Sequence, residues 1–348
     1  MGDFDPSAAA RPDSGLFGLD ASPDGARVHV LGVPFDATTS FRKGAAGAPA
    51  AILAASHQVD LYDLVTGRPY EAGIWMAPLA EEVFAWNETA TALAQPVIEA
   101  GGEHGDPDLQ EAVRRVDAIQ AELDAWVEER TRRSLAAGKL CALVGGDHSV
   151  PFGAIRAHAE HFGSLGLLHV DAHADLRVAY EGFPRSHASI LDNVLREVPG
   201  VERVLSVGLR DLSEEEHARI DDERVRAVLD HDWASVRLAG GDLRAHARRA
   251  IEALPRGVYV TFDVDGLDPA LCPNTGTPVP GGLRWDEAML WLEELVRSGR
   301  RIVGCDLCEV APDPAREPGS GWDETVGARL LYRLIGFALQ SARDVNSQ

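Results

Sequence analysis

The chain is poor in cysteine, and this scarcity excludes a protein held together by disulfides. Four cysteines occur among 348 residues, at positions 141, 272, 305 and 308. Secreted domains that depend on disulfides use a much larger share of cysteine. Cys305 and Cys308 form a Cys-x-x-Cys pair, but the pair lies inside an apolar, strand-like run and not at the start of a helix. We therefore expect buried thiols without a redox role.

Basic residues are also scarce. The chain has 33 Lys and Arg against 55 Asp and Glu, which gives a formal net charge of −22. This charge argues against nucleic acid and anionic membranes as partners, because both repel an acidic surface. It mildly favours small cationic molecules, although solubility alone also explains it.

Long apolar runs are missing as well. No stretch approaches the ~18–20 apolar residues that a membrane-spanning helix needs. The first 15 residues are polar and acidic, without the basic and apolar regions of a signal peptide. We therefore expect no membrane segment and a cytoplasmic location.

What the chain does have is three short runs of metal-seeking side chains. They are residues 145–149 (Gly-Gly-Asp-His-Ser), 171–175 (Asp-Ala-His-Ala-Asp) and 263–269 (Asp-Val-Asp-Gly-Leu-Asp-Pro). Each run follows an apolar stretch typical of a buried strand, at 140–144, 165–170 and 258–262. Open α/β sheets place their sites at the carboxyl ends of strands, so the three runs are predicted to meet.

Together the runs supply four carboxylates and two imidazoles to one cavity: His148, Asp171, His173, Asp175, Asp263 and Asp265. Extended alternation directs the polar residues of 171–175 to one side. A lone histidine or aspartate after a strand is more often a structural residue or a helix cap. Converging carboxylates, however, repel one another unless cations join them. Two divalent ions ~3.5–4 Å apart would lower the pKa of a shared water from ~15.7 towards ~7, which provides hydroxide at neutral pH.

These runs resemble those of the ureohydrolases, the family that includes arginase, agmatinase, formimidoylglutamase and guanidine hydrolase. The resemblance extends from about Val28 to Ala338, and it includes the motifs at 186–189 (Ser-His-Ala-Ser), 275–282 (Thr-Gly-Thr-Pro-Val-Pro-Gly-Gly) and 309–312 (Glu-Val-Ala-Pro). It implies a three-layer α/β/α arginase-like fold with about eight strands. It also implies two Mn²⁺ per subunit, with Ni²⁺ used by some members, and a homo-oligomer, either a trimer or a hexamer.

The resemblance assigns the ligands of both ions. One manganese site would consist of His148, Asp171, Asp175 and Asp263. The second would consist of Asp171, His173, Asp263 and Asp265. Asp171 and Asp263 would then bridge the two ions.

The resemblance also implies three catalytic roles. Glu309 matches the acid that pairs with the substrate guanidinium, and its alternative role is that of a surface salt-bridge partner. His187 matches the histidine that shuttles protons near the leaving amine, and its alternative is a neighbour of a helix cap. Asp175 would be a second proton carrier. The implied reaction is attack of hydroxide on the carbon of a small cationic guanidino substrate, which releases urea and an amine.

The stretch at 176–189 separates the branches of the family. Arginases have there an Asn- and Ser-bearing segment and a His-Gly-Met-Pro motif, which hold the amino-acid end of the substrate. Here the stretch reads Leu-Arg-Val-Ala-Tyr-Glu-Gly-Phe-Pro-Arg-Ser-His-Ala-Ser. It favours agmatinase, followed by guanidine hydrolase, formimidoylglutamase and arginase. Formimidoylglutamase would need a cationic clamp, for which Arg177 or Arg185 is available. A metal-binding subunit without activity is the alternative from another class, and the complete set of ligands argues against it.

Strand and helix patterns alternate along the rest of the chain, which predicts a largely parallel sheet covered on both faces. Residues 27–348 are predicted to form a single catalytic domain. Residues 1–26, rich in Pro, Asp, Ala and Gly, are predicted to be an arm that is mobile or docked on a neighbouring subunit. Segment 71–108 is less regular, and its aromatic residues predict that it covers the core or a subunit interface.

Overall fold

The computed structural model describes residues 4–220 and 223–344, and a parallel sheet forms its centre. The strands are β1 (Val28–Gly32), β2 (Ile74–Met76), β3 (Leu140–Val144), β4 (Leu165–Val170), β5 (Val201–Leu209), β6 (Val225–Leu229), β7 (Gly257–Phe262) and β8 (Arg301–Leu307). They form one eight-stranded sheet in the order β2-β1-β3-β8-β7-β4-β5-β6. Every pairing between these strands is parallel. The predicted parallel sheet of about eight strands is therefore confirmed.

Helices cover both faces of this sheet, so the predicted three layers are confirmed. One face packs against α2 (Glu81–Ala100), α3 (Pro107–Ala136), α4 (Phe152–Phe162) and α5 (Ile190–Glu197). The other packs against α1 (Ala48–Ser56), α7 (Asp230–Leu238), α8 (Leu243–Ile251), α9 (Trp285–Arg297) and α10 (Trp322–Asp344). A single turn, α6 (Glu214–His217), begins at a capping box formed by Ser213 and Glu216. Short 3₁₀ turns lie at Leu16–Gly18, Ala45–Gly47, Pro69–Ala72, His187–Ser189 and Val264–Gly266.

The longest helix, α3, shows how local sequence sets these elements. The Asp106 side chain accepts hydrogen bonds from backbone N–H groups of the first turn, and Pro107 occupies the first helical position, where no N–H is needed. Val116, Leu123 and Val127 form its buried stripe. Local sequence thus accounts for both the start of α3 and its buried face.

Segment 71–108 is more regular than its sequence suggests. It contains β2, at one edge of the sheet, and the 20-residue helix α2. The buried face of α2 consists of Val83, Ala90, Ala94 and Val97. Alanine contributes little contrast to a hydrophobic pattern, so this face is hard to recognise in the sequence. The segment covers the core of its own chain.

Part of the region before residue 27 packs on the same chain. Leu16 and Phe17 are buried, and the Phe17 ring lies 4.7 Å, centroid to centroid, from that of Tyr332 in α10. The backbone N–H of Phe17 donates to Ser56 Oγ at 2.8 Å. Their apolar side chains pack between α1 and α10 of the same chain. Docking of the arm on a neighbouring subunit stays a prediction. The domain boundary between residues 26 and 27 stays a prediction.

Two expectations from composition can be compared directly with the structure. All four cysteines are buried free thiols. Within the described ranges, no helix combines the length and the apolar character that crossing a membrane requires.

Candidate metal centre

Four neighbouring strands carry the site residues to one edge of the sheet. β3, β8, β7 and β4 lie side by side in its middle. Polar residues follow the carboxyl end of each: His148 after β3, Glu309 after β8, Asp263 after β7 and Asp171 after β4. Because the strands are parallel, these ends share one edge, and the loops meet as the sequence predicts.

A first ligand group surrounds the imidazole of His148. Its Nδ1 lies 2.9 Å from Asp171 Oδ2, 3.1 Å from Asp175 Oδ2 and 3.5 Å from Asp263 Oδ2. All four side chains are buried. One imidazole nitrogen and three carboxylate oxygens thus converge, and this is a set of donors that suits a divalent cation.

A second group adjoins the first. His173 Nδ1 lies 3.0 Å from Asp265 Oδ2 and 3.5 Å from Asp171 Oδ1. Asp171 therefore turns one carboxylate oxygen towards each group, which is the geometry of a bridging ligand. The structure brings all six predicted ligands together in two groups that share this aspartate.

Crowded negative charge makes this edge of the sheet a cation site. Burial raises the pKa of Asp263 well above its usual range, and the charges of Asp265 and Asp171 raise it further. Burial also raises the pKa of Asp175 to about 6, with the charge of Asp171 as the next cause. Burial lowers the pKa of His173, but Asp265 and Asp171 outweigh it and raise that pKa to about 12. Nearby positive charge therefore stabilises these carboxylates, and a pair of divalent ions would supply it.

The loop after β3 holds His148 in place through a glycine. A Cβ at Gly146 would lie only 1.7 Å from the carbonyl oxygen of Phe35. This close approach allows Asp147 N to donate to Phe35 O at 2.9 Å, and Glu309 N donates to Gly146 O, also at 2.9 Å. The loops after β1, β3 and β8 are thereby joined through their backbones.

The run at 171–175 converges through a turn and not through extended alternation alone. β4 ends at Val170, and within the run His173 keeps a strand-like pairing, with Asp211. Asp175 has a left-handed backbone with φ 52°. Its carbonyl oxygen accepts a hydrogen bond from Leu191 N at 3.0 Å, which fixes the turn. The predicted alternation therefore ends at His173.

Glu309 lies beside the ligand groups and presents one free oxygen. Its Oε1 accepts a hydrogen bond from the backbone N–H of His148 at 3.0 Å, whereas its Oε2 is buried without a hydrogen-bond partner. Burial raises the pKa of Glu309 well above its usual range, and the charges of Asp147 and Asp265 add to this rise. A cationic N–H donor from the cavity would satisfy this oxygen and lower that pKa.

His187 reaches the same cavity from the short turn before α5. Burial, followed by the positive charges of His173 and His148, lowers its pKa to about 4, so its ring is neutral at neutral pH. Its Nδ1 lies 3.5 Å from Thr38 Oγ1, and this hydroxyl donates to Asp147 Oδ2 at 3.3 Å. Nδ1 of His187 therefore faces the Thr38 hydroxyl, and Nε2 is the other nitrogen of the ring.

A cavity of about 300 Å³ opens onto these side chains. Its wall also includes the acidic residues Asp211 and Glu216, and Phe41, whose ring is 71% exposed, lies at the rim. Arg177 lines the cavity too, but its Nε lies 3.4 Å from Glu216 Oε2. The cavity therefore has an acidic wall with one arginine, and that arginine is already paired.

Arg185, the other arginine considered as a clamp for a carboxylate, points away from this cavity. It donates to Asp124 Oδ2 at 2.9 Å and to Glu197 Oε2 at 2.8 Å. Both contacts lie outside the residues that line the cavity. The structure therefore offers no free cationic clamp at Arg185 for a glutamate-like tail.

Three polar residues near the ligands were not anticipated. His169 Nε2 lies 3.0 Å from Asp171 Oδ2, and Thr261 and Asp306 lie behind His148. Residues two positions apart in a strand face the same side of the sheet, so the sequence could have placed His169 on the side of Asp171. The signal for Asp306 is a carboxylate inside an otherwise apolar strand. Thr261 has no comparable signal, because threonine is common in strands.

The fold and the site together define a class of α/β hydrolases in which two adjoining metal-ligand groups lie at the carboxyl edge of a parallel sheet. The model of the arginase family matches residues 26–336. The chain is 34% identical to N(1)-aminopropylagmatine ureohydrolase from Thermus thermophilus, over 91% of this chain and 92% of that protein. It is 35% identical to agmatinase from Proteus mirabilis, over 81% of this chain and 79% of that one.

Solved structures give the same result. The crystal structure of agmatine ureohydrolase of Thermoplasma volcanium matches with a TM-score of 0.67 and 25% identity, covering 93% of each chain. The chain belongs to the arginase family, and it is a ureohydrolase, an enzyme that acts on C–N bonds. The resemblance inferred from the motifs is thereby confirmed.

Proposed function

We propose that the chain is an agmatinase, which hydrolyses agmatine to putrescine and urea with two manganese ions per subunit. The observation that carries the proposal is the pair of ligand groups that share Asp171, next to the unpartnered Oε2 of Glu309. Several relatives carry the name agmatinase or N(1)-aminopropylagmatine ureohydrolase. All of these names refer to guanidino substrates without an α-carboxylate.

The two ligand groups would hold the two ions in the arrangement that the family implies. The first ion would take His148, Asp171, Asp175 and Asp263, and the second would take Asp171, His173, Asp263 and Asp265. When bound, such ions act as Lewis acids that acidify water and stabilise charge that develops on the substrate. Oxygen-rich ligation with two imidazoles suits manganese, while the affinity order of divalent metals favours nickel.

Glu309 would bind and orient the substrate. Its Oε2 is a buried acceptor on the cavity wall, and a planar guanidinium offers parallel N–H donors to a carboxylate. Pairing with the cation also compensates the charge that burial makes costly at Glu309. The substrate carbon is thereby held next to the ligand groups.

His187 would move the proton that the leaving amine requires. Hydrolysis forms one C–O bond and breaks one C–N bond, and the water proton must reach the departing nitrogen. Nε2 of His187 is free because Nδ1 faces Thr38, so this nitrogen can accept a proton and return it. Asp175, which lies 3.1 Å from His148 Nδ1 in the first ligand group, is the second candidate carrier.

The cavity favours an amine tail on the substrate. Asp211 lines its wall, whereas Arg177 and Glu216, which also line it, pair with each other. A tail that ends in an ammonium group is attracted by Asp211, whereas an α-carboxylate is repelled by it. The expected order of kcat/KM is agmatine above guanidine, and both above formimidoylglutamate and arginine.

N(1)-aminopropylagmatine is a second candidate substrate. The cavity measures about 300 Å³ and has the exposed Phe41 at its rim, which leaves room for a longer polyamine tail. The relative from Thermus thermophilus named above acts, by name, on this compound. Its kcat/KM belongs in the same comparison.

A urea-release assay with manganese-loaded protein tests the proposal against agmatine, N(1)-aminopropylagmatine, guanidine, arginine and formimidoylglutamate. A guanidine value above both polyamine values would place the chain with guanidine hydrolases. A dominant arginine value would show that the stretch at 176–189 has been misread. If metal-loaded protein released no urea from any of the five, a subunit without activity would become the better explanation.

Two variants separate metal binding from proton transfer. Asp263→Asn removes a shared charge, so we expect loss of both metal and turnover. His187→Ala should leave both ions bound and slow turnover by about 10²–10⁴-fold, the usual contribution of a proton shuttle. Metal content, measured by elemental analysis, distinguishes a variant that has lost its ions from one that has lost only proton transfer. An empty site in His187→Ala would contradict its role.

The remaining family properties are also proposals for this chain. We propose a cytoplasmic homo-oligomer, a trimer or a hexamer, that uses manganese and acts in polyamine biosynthesis. Two measurements test which metal the protein uses. They are elemental analysis after incubation with manganese or nickel, and turnover with each metal. Fewer than one ion per chain would refute the binuclear centre. Analytical ultracentrifugation of the full chain measures the oligomeric state.

A further inference from the structure

Behind the first ligand group lies a short chain of buried hydrogen bonds. His148 Nε2 lies 2.9 Å from Thr261 Oγ1, and Thr261 Oγ1 donates to Asp306 Oδ1 at 3.0 Å. All three side chains are at most 1% exposed. Thr261 belongs to β7 and Asp306 to the neighbouring β8, so rigid strands hold both.

This chain of bonds determines which nitrogen of His148 carries hydrogen. The Thr261 hydroxyl has one hydrogen, and it is directed at Asp306. Towards His148 the hydroxyl can therefore only accept, so Nε2 must be the donor. In the neutral ring, which a metal ligand must be, the lone pair then lies on Nδ1, the atom that faces Asp171, Asp175 and Asp263.

The opposite tautomer would disable the first ligand group. A hydrogen on Nδ1 would point at the carboxylates and occupy the position of a cation. Metal-bound histidines generally donate from their other nitrogen to a carboxylate or carbonyl, which fixes the tautomer. Here a hydroxyl lies between the ring and the carboxylate.

Asp306 is held in place for this function. Its Oδ1 also accepts a hydrogen bond from the backbone N–H of Phe262 at 3.1 Å, which fixes the carboxylate against β7. His148, Asp306 and Cys308 lie near enough to one another to suggest a separate ligand set. The Thr261 hydroxyl, however, already occupies the Nε2 side of His148, so the ring faces the ions through Nδ1 alone.

We propose that Asp306, acting through the Thr261 hydroxyl, is a positioning residue that fixes the Nε2–H tautomer of His148 and thereby keeps Nδ1 available to the first ion. The inference rests on the binuclear centre of the proposed function. It predicts unequal effects on the two ions, because the second group is connected with His148 only through the shared Asp171, and the contacts described for His173 and Asp265 do not include Thr261 or Asp306.

The test is manganese binding by the full-length protein, measured by isothermal titration and by elemental analysis. Thr261→Val keeps the shape of the side chain and removes the hydroxyl. We expect one of the two manganese affinities to fall by about 10–100-fold, as for other residues that support metal ligands. Thr261→Ser restores the hydroxyl and should restore that affinity. Asp306→Asn keeps an acceptor oxygen without the charge and should weaken the same site by less.

Ser341→Ala is the matched control for a lost buried hydroxyl. Ser341 Oγ is buried, accepts from Ile302 N at 3.0 Å on the same strand β8 and does not contact the site. This variant should lose stability and keep both affinities.

The outcomes separate the inference from the function on which it rests. If Thr261→Val kept wild-type affinity for manganese at both sites, the inference alone would be overturned. Equal losses of affinity in Thr261→Ser and Thr261→Val would also overturn it, because altered packing would then explain the effect. A wild-type protein that bound no manganese would overturn the proposed function and the inference together.

Discussion

Replacing His158 should make the protein more resistant to mild acid. This side chain is 1% exposed, and its Nδ1 lies 2.7 Å from the carbonyl oxygen of Ala154. Its Nε2 has no hydrogen-bond partner, and the ring contacts that of Tyr259 at 4.9 Å between centroids. Burial lowers its pKa to about 4, well below the usual value of 6.5.

The size and sign of the effect follow from this pKa. The unfolded chain takes up a proton at His158 below pH 6.5, whereas the folded chain does so only near pH 4. The stability linked to His158 is therefore complete above pH 6.5 and is lost as the pH falls towards 4. The full loss is about 3 kcal/mol for this shift. At pH 5 it amounts to about 2 kcal/mol.

Urea unfolding of wild type and His158→Gln at pH 8 and pH 5 measures this loss, with chelator present so that metal release does not contribute. The change in the free energy of unfolding from pH 8 to pH 5 is measured for each protein. Other titrating groups contribute equally to both changes, so the difference between them is the contribution of His158. We expect wild type to lose about 2 kcal/mol more than the variant between these pH values. His231→Gln, at an exposed position on α7, is the control and should behave as wild type. Equal losses in wild type and His158→Gln would refute the reasoning.

Three further predictions concern other parts of the molecule. Phe17→Ala should lower the free energy of unfolding by about 3–5 kcal/mol, because it leaves a cavity beneath the N-terminal segment. If urea unfolding showed a change below about 1 kcal/mol, the segment would not dock on the core. Gly146→Ala should abolish manganese binding in a titration, because its Cβ would lie 1.7 Å from the carbonyl oxygen of Phe35; normal binding would show that the loop adapts. Arg185→Met should destabilise the protein more at pH 8 than at pH 5, because Asp124, whose pKa burial raises to about 7, would be charged without its partner at the higher pH. The measurement is the difference in unfolding midpoint between Arg185→Met and wild type at each pH. The same difference at pH 8 and at pH 5 would contradict this last prediction.

The convergence of the ligands could be predicted from the sequence because it depends on a local rule. Each ligand run follows an apolar stretch, and parallel strands deliver their carboxyl ends to one edge. The position of His173 within its run was enough to place it beside Asp265. Asp175 needed more, because its left-handed backbone is set by contacts with the start of α5 and not by the strand period.

Other features depend on partners that are distant in sequence. Nothing near residue 301 indicates that β8 lies between β3 and β7. The docking of Phe17 depends on Tyr332, more than 300 residues later in the chain. The tautomer of His148 depends on Thr261 and Asp306, which a motif search passes over because neither belongs to a ligand run.

The place of β8 in the sheet has a consequence for the synthesis of the protein. β8 is the last strand to leave the ribosome, yet it lies between β3 and β7 and joins the two halves of the sheet. One half carries His148, and the other carries Asp171 and Asp263, so the halves cannot be held in register before residues 301–307 have been made. Strand pairing over such long sequence separations is slow and cannot begin early. We therefore expect the first ligand group, which needs both halves, to form only after β8 has been made, and a nascent chain stalled before β8 to expose two unjoined sheet edges to chaperones.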